Sequence, residues 1–322
     1  MKEEFSYIVD QFVDLQILRY QVPGFENLSL RQKQLLYHLS EAALMGRDIL
    51  FDQNGRYNLV IRRTLEAVYQ YGTVDKSSAD YQAFEVYLKR VWFANGIHHH
   101  YGEDKFIPGF SEAFFDASVR SVDASLLPLK VGETVDTLLA RLKPVIFDPT
   151  VMPKRTVQSG DTDWIQASTN NYYGEDVTQA EVEAFYGKMK AEGDSRCPLS
   201  YGLNSRLEKE NGQLVERVWK VGGLYSEAIE RIVAELEKAT AFAENEKQRQ
   251  IIATLIDYYR TGDLRTFDAY SILWVEDTDS QVDFVNGFIE TYGDALGLKA
   301  SWESTVNFRN EEATRRTQII SE

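Results

Sequence analysis

The chain has a single cysteine, Cys197, among its 322 residues. One thiol excludes an internal disulfide and cannot supply the paired thiolates of a structural zinc site. With 43% hydrophobic residues, the chain has enough apolar side chains for a packed core, and its length suits one large or two ordinary domains. Its stability must therefore come from packing.

Long apolar runs are also missing. No window approaches the roughly 18 uninterrupted apolar residues of a membrane-spanning helix, and the start, M-K-E-E-F, lacks the apolar core of a signal peptide. The sequence therefore predicts no membrane span and, as it stands, a cytoplasmic protein. Export of a longer parent from which a signal has been removed is the open alternative.

Basic residues are in the minority, since 35 Lys and Arg against 50 Asp and Glu give a net charge of −15. This excess of negative charge argues against nucleic acid or anionic lipid as a partner. It favours cationic ligands, and the free α-amino group of a peptide is one of these. The plainer alternative is that the acidity only keeps the protein soluble.

Helical periodicity dominates the front third of the chain. From Phe5 to Tyr20, apolar residues at three- and four-residue steps predict one helix, which the Pro-Gly pair at 23–24 ends. An irregular region is predicted at 144–171. Between these segments, helices are predicted at residues 28–45, 62–71, 81–94, 111–120 and 133–142.

Strand signals appear only in the second half. The T-x-x-E pattern at 178–181 is a capping box that opens a helix. The N-G pair at 211–212 predicts a hairpin, because a type I′ turn needs positive φ at both central residues. Its strands are predicted at 201–209 and 213–220, and two antiparallel helices follow at 225–243 and 245–259.

A second hairpin is predicted near the end of the chain. Alternation from Val282 to Tyr292 indicates a strand, which a turn at 293–297 joins to a short strand at 300–306. Together these patterns predict an α+β fold, rich in helix with a small, mostly antiparallel β core. They divide the chain into a helical part at 1–143, an α+β part with cleft-lining strands at 144–308, and a charged tail at 309–322 that ends without a cap, as if cut there.

Familiar catalytic motifs are absent. The four histidines are His38 and the run H-H-H at 98–100, and the sequence contains no H-E-x-x-H, no G-x-S-x-G and no P-loop. Side chains of neighbouring residues diverge, so three consecutive histidines such as His98, His99 and His100 rarely converge on one metal ion; a site shared by the alternate pair is the open alternative. A polar loop is favoured over a metal site, and the role of these histidines is left open.

Glu290 and Tyr292 are two residues apart on the predicted strand and would share a face, about 6–7 Å apart along the backbone. A carboxylate can hold a terminal ammonium, and a phenol can donate a hydrogen bond to an oxygen that becomes anionic during attack on an amide. The pair therefore suits peptide binding. From the pattern alone, an exposed strand face with a cross-strand tyrosine contact is the alternative.

At this strand the chain resembles the dipeptidyl peptidase III family of zinc exopeptidases. The family's strand, G-F-I-E-[ST]-Y-x-D, has its counterpart in G-F-I-E-T-Y-G-D at 287–294, with W-V-E-D at 274–277 and W-E at 302–303 on either side. Supporting matches are R-Y-Q-V-P-G-F at 19–25, Y-G-E-D-K-F-I-P at 101–108 and L-N-S-R-L-E-K-E at 203–210. They follow one another along nearly the whole chain, and the triple histidine is similar to the bacterial branch.

The resemblance implies a two-lobed enzyme, with a lower lobe of helices around a β core and an upper helical lobe that holds zinc. The family's zinc motifs, H-E-x-x-G-H and E-E-x-R-A-[DE], do not occur in this sequence. The chain is therefore expected to be the substrate-binding lower lobe. The full-length parent needs zinc, whereas this chain is expected to bind none.

The resemblance also implies roles for three residues. Glu290 matches the carboxylate that grips the substrate's α-ammonium, Tyr292 matches the phenol that hydrogen-bonds the scissile carbonyl oxygen, and Glu303 matches another acidic cleft position of less defined role.

As full-length parent, the protein is expected to be a zinc metallo-exopeptidase that removes N-terminal dipeptides from short peptides. Its partners are short peptides, held by their free amino end, and the missing zinc-binding lobe. This chain alone is expected to be inactive. The alternatives are a non-catalytic peptide-binding or scaffolding protein derived from this family, and an unrelated α+β interaction protein.

Overall fold

The computed structural model describes residues 5–321, and the chain divides into two compact units. The first comprises the described residues up to Val22, Phe51–Val157 and Ala167–Asn170. The second comprises Pro23–Leu50, Gln158–Gln166 and the described residues from Asn171 onward. These units interleave along the chain, whereas the predicted division at residues 143 and 308 follows chain order and stays a prediction.

Helices predominate in the described residues, and the strands form three antiparallel two-stranded sheets. The predicted α+β class with a small antiparallel β content is confirmed. The strands are β1 (Ile8–Phe12), β2 (Leu15–Leu18), β3 (Ser205–Glu210), β4 (Gln213–Val218), β5 (Val282–Glu290) and β6 (Ser301–Phe308). The α-helices are α1 (Leu30–Met45), α2 (Arg47–Gln53), α3 (Asn58–Tyr71), α4 (Ala79–Ala94), α5 (Glu112–Arg120), α6 (Val135–Phe147), α7 (Trp164–Ala167), α8 (Gln179–Glu192), α9 (Ser226–Thr240), α10 (Glu246–Thr261), α11 (Leu264–Val275) and α12 (Glu311–Ser321).

The start of the described chain corrects one prediction. Residues 5–20 do not form a helix, because β1 and β2 pair as an antiparallel hairpin with Val13 at its turn, at a φ of 52°. An amphipathic helix gains stability only by burying its apolar stripe. In this segment Phe12 is the buried residue, and Asp10 pairs with Lys89 of α4 at 2.9 Å. With one buried residue, the segment has too little buried apolar surface to stabilise a helix.

Helices α3 to α6 build the core of the first unit. A cluster of aromatic rings fills it, with the Phe84 and Phe110 ring centroids 5.7 Å apart and those of Phe110 and Phe115 6.3 Å apart. The predicted helical periods at 62–71, 81–94, 111–120 and 133–142 are all observed, each within a longer or similar helix. Ser78 and Ser111 cap α4 and α5 through their side chains.

In the second unit, α1 and α9 pack together through their apolar stripes, and α10 packs on α9. The predicted capping box is present: the Thr178 side chain accepts from the Glu181 backbone N–H, and the Glu181 side chain accepts from the Thr178 backbone N–H. The first predicted hairpin is confirmed as β3–β4. Its turn residues Asn211 and Gly212 have φ values of 51° and 78°, as a type I′ turn requires.

The predicted second hairpin is also confirmed, as β5–β6. The alternation in β5 buries Val282, Phe284, Asn286 and Phe288. On β6, Trp302 is buried in the same core, and its ring lies so close to Gly46 that a Cβ there would be 1.8 Å from it. This hairpin is therefore fixed to the core along one face, and its other face is left for the site.

Four helices were not predicted: α2, α7, α11 and α12. The last covers most of the segment that the sequence analysis treated as a charged tail, and its residues are exposed. Charged helices of this kind bury little apolar surface, so periodicity gives no signal for them. Among residues 5–321, no helix is long and apolar enough to cross a membrane.

Candidate active site

The β5–β6 hairpin carries two of the three predicted site residues, and a β-bulge sets the direction of one of them. Phe288 pairs with Trp302 and Glu290 pairs with Ser301, so Ile289 is an extra residue in β5. An extra residue reverses the inward-outward alternation of a strand. Glu290 is therefore exposed, although simple alternation would place it on the buried face of Phe288.

Tyr292 lies beyond the strand. Because β5 ends at Glu290, Tyr292 belongs to the turn that follows, and its side chain is 71% exposed. The prediction that Glu290 and Tyr292 share a strand face is therefore wrong in its geometry. The two residues are still neighbours at the rim of the hairpin, and their roles stay predictions.

Glu303 is the third predicted residue and lies on β6, paired with Gly287 of β5. Partial burial raises the pKa of its carboxyl, and the negative charge of Glu290 raises it further. The Glu290 charge thus acts on the Glu303 carboxyl across the hairpin. Two negative charges close together repel each other, and a cation that binds beside them reduces this repulsion.

The turn after β5 is closed by Asp294, the last residue of the G-F-I-E-T-Y-G-D motif. Its carboxylate Oδ2 accepts hydrogen bonds from the backbone N–H groups of Leu298, at 2.8 Å, and Lys299, at 3.0 Å. The Tyr173 hydroxyl donates to the same oxygen at 2.9 Å. The sequence signal for this turn is an aspartate followed closely by a glycine, Gly297. The sequence does not show that the aspartate carboxylate is buried.

Gln158 also holds the turn through its side chain. The Gln158 side-chain amide donates to the carbonyl oxygen of Asp294 at 3.0 Å and lies 3.4 Å from that of Tyr292. The backbone N–H of Asp294 donates to the Thr291 carbonyl at 3.1 Å. The backbone around Tyr292 is therefore defined by hydrogen bonds, while its phenol faces solvent.

The triple histidine lies in the first unit, in a loop with irregular hydrogen bonding. Burial lowers the pKa of His98 to about 4, and its Nε2 lies 2.9 Å from the Met152 carbonyl oxygen. The His99 Nδ1 accepts from the backbone N–H groups of Tyr101 and Gly102, and the His99 and His100 rings stack 4.5 Å apart. These contacts support the polar-loop interpretation.

The described residues do not fit a zinc ion. Nowhere in residues 5–321 do three or more His, Cys, Asp or Glu side chains come together in a way that could hold a metal. Zinc sites in proteins are built from three or four such side chains. At the hairpin, the described residues instead provide two carboxylates, Glu290 and Glu303, and the phenol of Tyr292.

Comparison with known proteins points to one family of peptidases. Residues 200–322 match the family described as peptidase family M49. The dipeptidyl peptidase 3 of Homo sapiens is 24% identical over 92% of this chain and 44% of that protein, and the one from Dictyostelium discoideum is 24% identical over 95% of this chain and 46% of that protein. The chain thus spans less than half the length of the curated relatives it matches.

Solved structures show the same relationship at the level of the fold. The dipeptidyl peptidase III structures from Caldithrix abyssi and Corallococcus sp. strain EGB match with a TM-score of 0.60 each, at 18% and 17% identity. They cover 92% and 94% of this chain, and 43% of each matched chain is covered. Residues 200–322 thus match peptidase family M49, and the fold is similar to part of dipeptidyl peptidase III. The predicted resemblance to the dipeptidyl peptidase III family is therefore confirmed.

Proposed function

We propose that this chain is the substrate-binding lobe of a zinc-dependent dipeptidyl peptidase, which removes dipeptides from the amino end of short peptides. The observation that carries the proposal is the hairpin end, where the carboxylates of Glu290 and Glu303 interact and Tyr292, two residues after Glu290, is exposed. The M49 match over the same residues supports it.

Each residue has a distinct task in this proposal. The exposed carboxylate of Glu290 accepts charge-assisted hydrogen bonds from the α-ammonium of the peptide. Glu303 adds a second negative charge, and a bound ammonium favours its ionised form. Tyr292 donates its hydroxyl proton in a hydrogen bond to the carbonyl oxygen of the bond that is cut, where negative charge develops.

Zinc belongs to the full-length parent in this proposal, as expected of a zinc metallopeptidase family. The described residues do not fit the ion. We propose that the isolated chain binds peptides without cleaving them. Its partner for catalysis is the zinc-binding lobe.

A non-catalytic peptide-binding or scaffolding protein remains the second hypothesis, because the same hairpin would bind a peptide's amino end without zinc. The reading frame that follows the codon of Glu322 separates the two. An H-E-x-x-G-H motif about a hundred or more residues downstream supports the peptidase. A stop codon directly after Glu322 supports the binding protein.

Peptide titration of the chain tests the proposed site directly. A tetrapeptide with a free amino end is compared with the same peptide acetylated at that end. We expect at least tenfold tighter binding of the free form, and Glu290→Gln should remove most of the difference because it removes the charge that pairs with the ammonium. The control is Glu192→Gln on α8, an exposed glutamate. Equal binding of both peptides by the unaltered chain contradicts the proposal.

A further inference from the structure

The lysine that directly follows the turn carrying Tyr292 is completely buried. Lys299 is 0% exposed, and its ammonium donates to the hydroxyls of Tyr186 and Ser205, the latter at 3.1 Å. The ammonium also lies 4.4 Å from the centre of the Tyr186 ring. Burying a charge in this way is costly, and an apolar side chain of similar size would fill the space at lower cost.

The two hydroxyls connect Lys299 to a carboxylate. The Tyr186 hydroxyl donates to Glu216 Oε1 at 2.7 Å, and the Ser205 hydroxyl donates to the same oxygen at 2.6 Å. Helix α8 supplies the tyrosine, β3 the serine and β4 the glutamate. Directional hydrogen bonds thus tie Lys299 to three separate elements of the second unit.

Asp294 forms the other half of this arrangement. It is 0% exposed, and its carboxylate accepts hydrogen bonds from the backbone N–H of Lys299 and from the hydroxyl of Tyr173. The Lys299 ammonium lies 5.5 Å from the centre of the Tyr173 ring. The turn is therefore anchored at two points: the Asp294 carboxylate binds backbone N–H groups of the turn and the Tyr173 hydroxyl, and the Lys299 ammonium binds the Tyr186 hydroxyl.

Close packing around Lys299 restricts which residues fit there. Gly202 has a φ of 91°, and a Cβ there would lie 2.8 Å from the Tyr186 ring and 3.1 Å from the Lys299 ammonium. Only glycine combines this backbone conformation with so close an approach. The Tyr292 side chain, in contrast, is 71% exposed and packs little against its surroundings.

We propose that Asp294 and Lys299, with the hydroxyls of Tyr173 and Tyr186, are positioning residues that hold the turn at residues 291–298 and thereby place Tyr292 beside Glu290. The last step rests on the proposed function. A phenol that acts on a peptide carbonyl needs a fixed location, because misplacement by about 1 Å can cost on the order of 10² in rate. The largely exposed phenol therefore depends on this anchor more than on its own packing.

The first test uses this chain and does not depend on peptidase activity. Hydrogen exchange at the backbone amides of Leu298 and Lys299 is compared between the unaltered chain, Lys299→Met and Tyr173→Phe. We expect at least tenfold faster exchange at these amides in both variants. Tyr173→Phe removes one hydroxyl only and serves where the lysine variant fails to fold. Unchanged exchange at both amides overturns the inference.

The matched control for the tyrosine variant is Tyr87→Phe. Tyr87 is a buried tyrosine of the first unit, and its hydroxyl has no hydrogen-bond partner among the described residues. The same chemical change there should leave exchange at Leu298 and Lys299 unaltered. Faster exchange at these amides in the control would show a general loss of stability and overturn the assignment to the anchor.

The second test uses a complete enzyme that contains this lobe. We expect Lys299→Met to lower kcat at least tenfold, and to lower it no further when Tyr292 is already phenylalanine, because the anchor acts through that phenol. Equal losses in both backgrounds overturn the positioning role. An unaltered enzyme that releases no dipeptide contradicts the proposed function instead, and the exchange measurement still decides whether the anchor exists.

Discussion

Glu303 holds its proton more tightly than an ordinary glutamate because it is partly buried and because the carboxylate of Glu290 lies near it on the neighbouring strand. The bulge at Ile289 turns Glu290 outward, where it interacts with Glu303 on β6. A pair of carboxylates that repel each other is a favourable place for a single positive charge. This relationship gives a direct test of the site without any substrate.

Replacing Glu290 with glutamine should lower the pKa of Glu303 towards its usual value, because the neighbouring negative charge is removed while the shape is kept. The effect of partial burial remains, so the pKa should stay somewhat raised. Carboxyl ¹³C chemical shifts of the chain followed against pH provide the measurement, with Glu192→Gln as control. A Glu303 pKa that is the same in Glu290→Gln and in the unaltered chain would show that the two residues do not interact.

In a complete enzyme that contains this lobe, Glu290→Gln and Tyr292→Phe should have different kinetic signatures. Loss of the Glu290 charge weakens anchoring in the ground state and the transition state alike, so KM should rise. Loss of the Tyr292 hydroxyl should lower kcat by about 10²–10³-fold with KM little changed, as for removal of an oxyanion donor. Steady-state kinetics and zinc content, which should not change, are the measurements. A kcat within about threefold of the parent in Tyr292→Phe would leave Tyr292 as a surface tyrosine.

The isolated chain should bind no zinc in stoichiometric amount and release no dipeptides. The reason is that a catalytic zinc site requires three protein ligands placed together, and the sequence contains neither zinc motif of the family. Elemental analysis of protein without an affinity tag, together with a dipeptide-release assay, checks this. Stoichiometric zinc bound by the chain, or cleavage of dipeptides from a substrate by the chain alone, would contradict the proposal that zinc and catalysis require the other lobe.

The buried Lys299 should make folding stability depend on pH. Burial lowers its pKa to about 7, although the charges of Glu216 and Asp294 oppose this shift. Tyr173, Tyr186 and Ser205 are the other groups that face its ammonium. Between about pH 7 and 10 the unfolded chain binds a proton that the folded chain has lost, so the free energy of unfolding should rise with pH, by at most about 1.4 kcal/mol per pH unit.

Urea unfolding between pH 6 and 9 measures this dependence, and Lys299→Met should remove it. The difference in unfolding free energy between the two proteins is expected to be flat below about pH 7 and to grow in favour of the unaltered chain above it. Lys188→Met, at an exposed position on α8, serves as control. A constant difference over the whole range would show that Lys299 stays charged in the folded protein.

Gly46 should tolerate no side chain. A Cβ there would lie 1.8 Å from the buried Trp302 ring, so Gly46→Ala is expected to lower the free energy of unfolding by about 1–3 kcal/mol through overpacking. Gly187→Ala on α8 is the matched control, because nothing lies within 4 Å of its Cβ position and helix propensity should raise stability by about 1 kcal/mol. Chemical unfolding of both variants checks the pair. Equal stability changes would mean that Trp302 moves aside easily.

Local signals in the sequence determined much of this protein. Turn chemistry at Asn211 and Gly212, the capping box at Thr178, and alternation from Val282 to Phe288 each act over a few residues, and each predicted its element correctly. The motif around Glu290 and Tyr292 also identified the family. These features depend on the backbone and on near neighbours in the chain, so a sequence shows them directly.

Tertiary structure decided the rest. The segment at residues 5–20 has a helical stripe, yet it forms a hairpin because only Phe12 is buried and Asp10 pairs with α4. Alternation cannot show the extra residue at Ile289, since only pairing with β6 reveals a bulge. The buried environment of Lys299 is formed by residues from α8, β3 and β4, more than eighty positions away in the chain. Burial and charge partners at such separations exist only once the chain has folded.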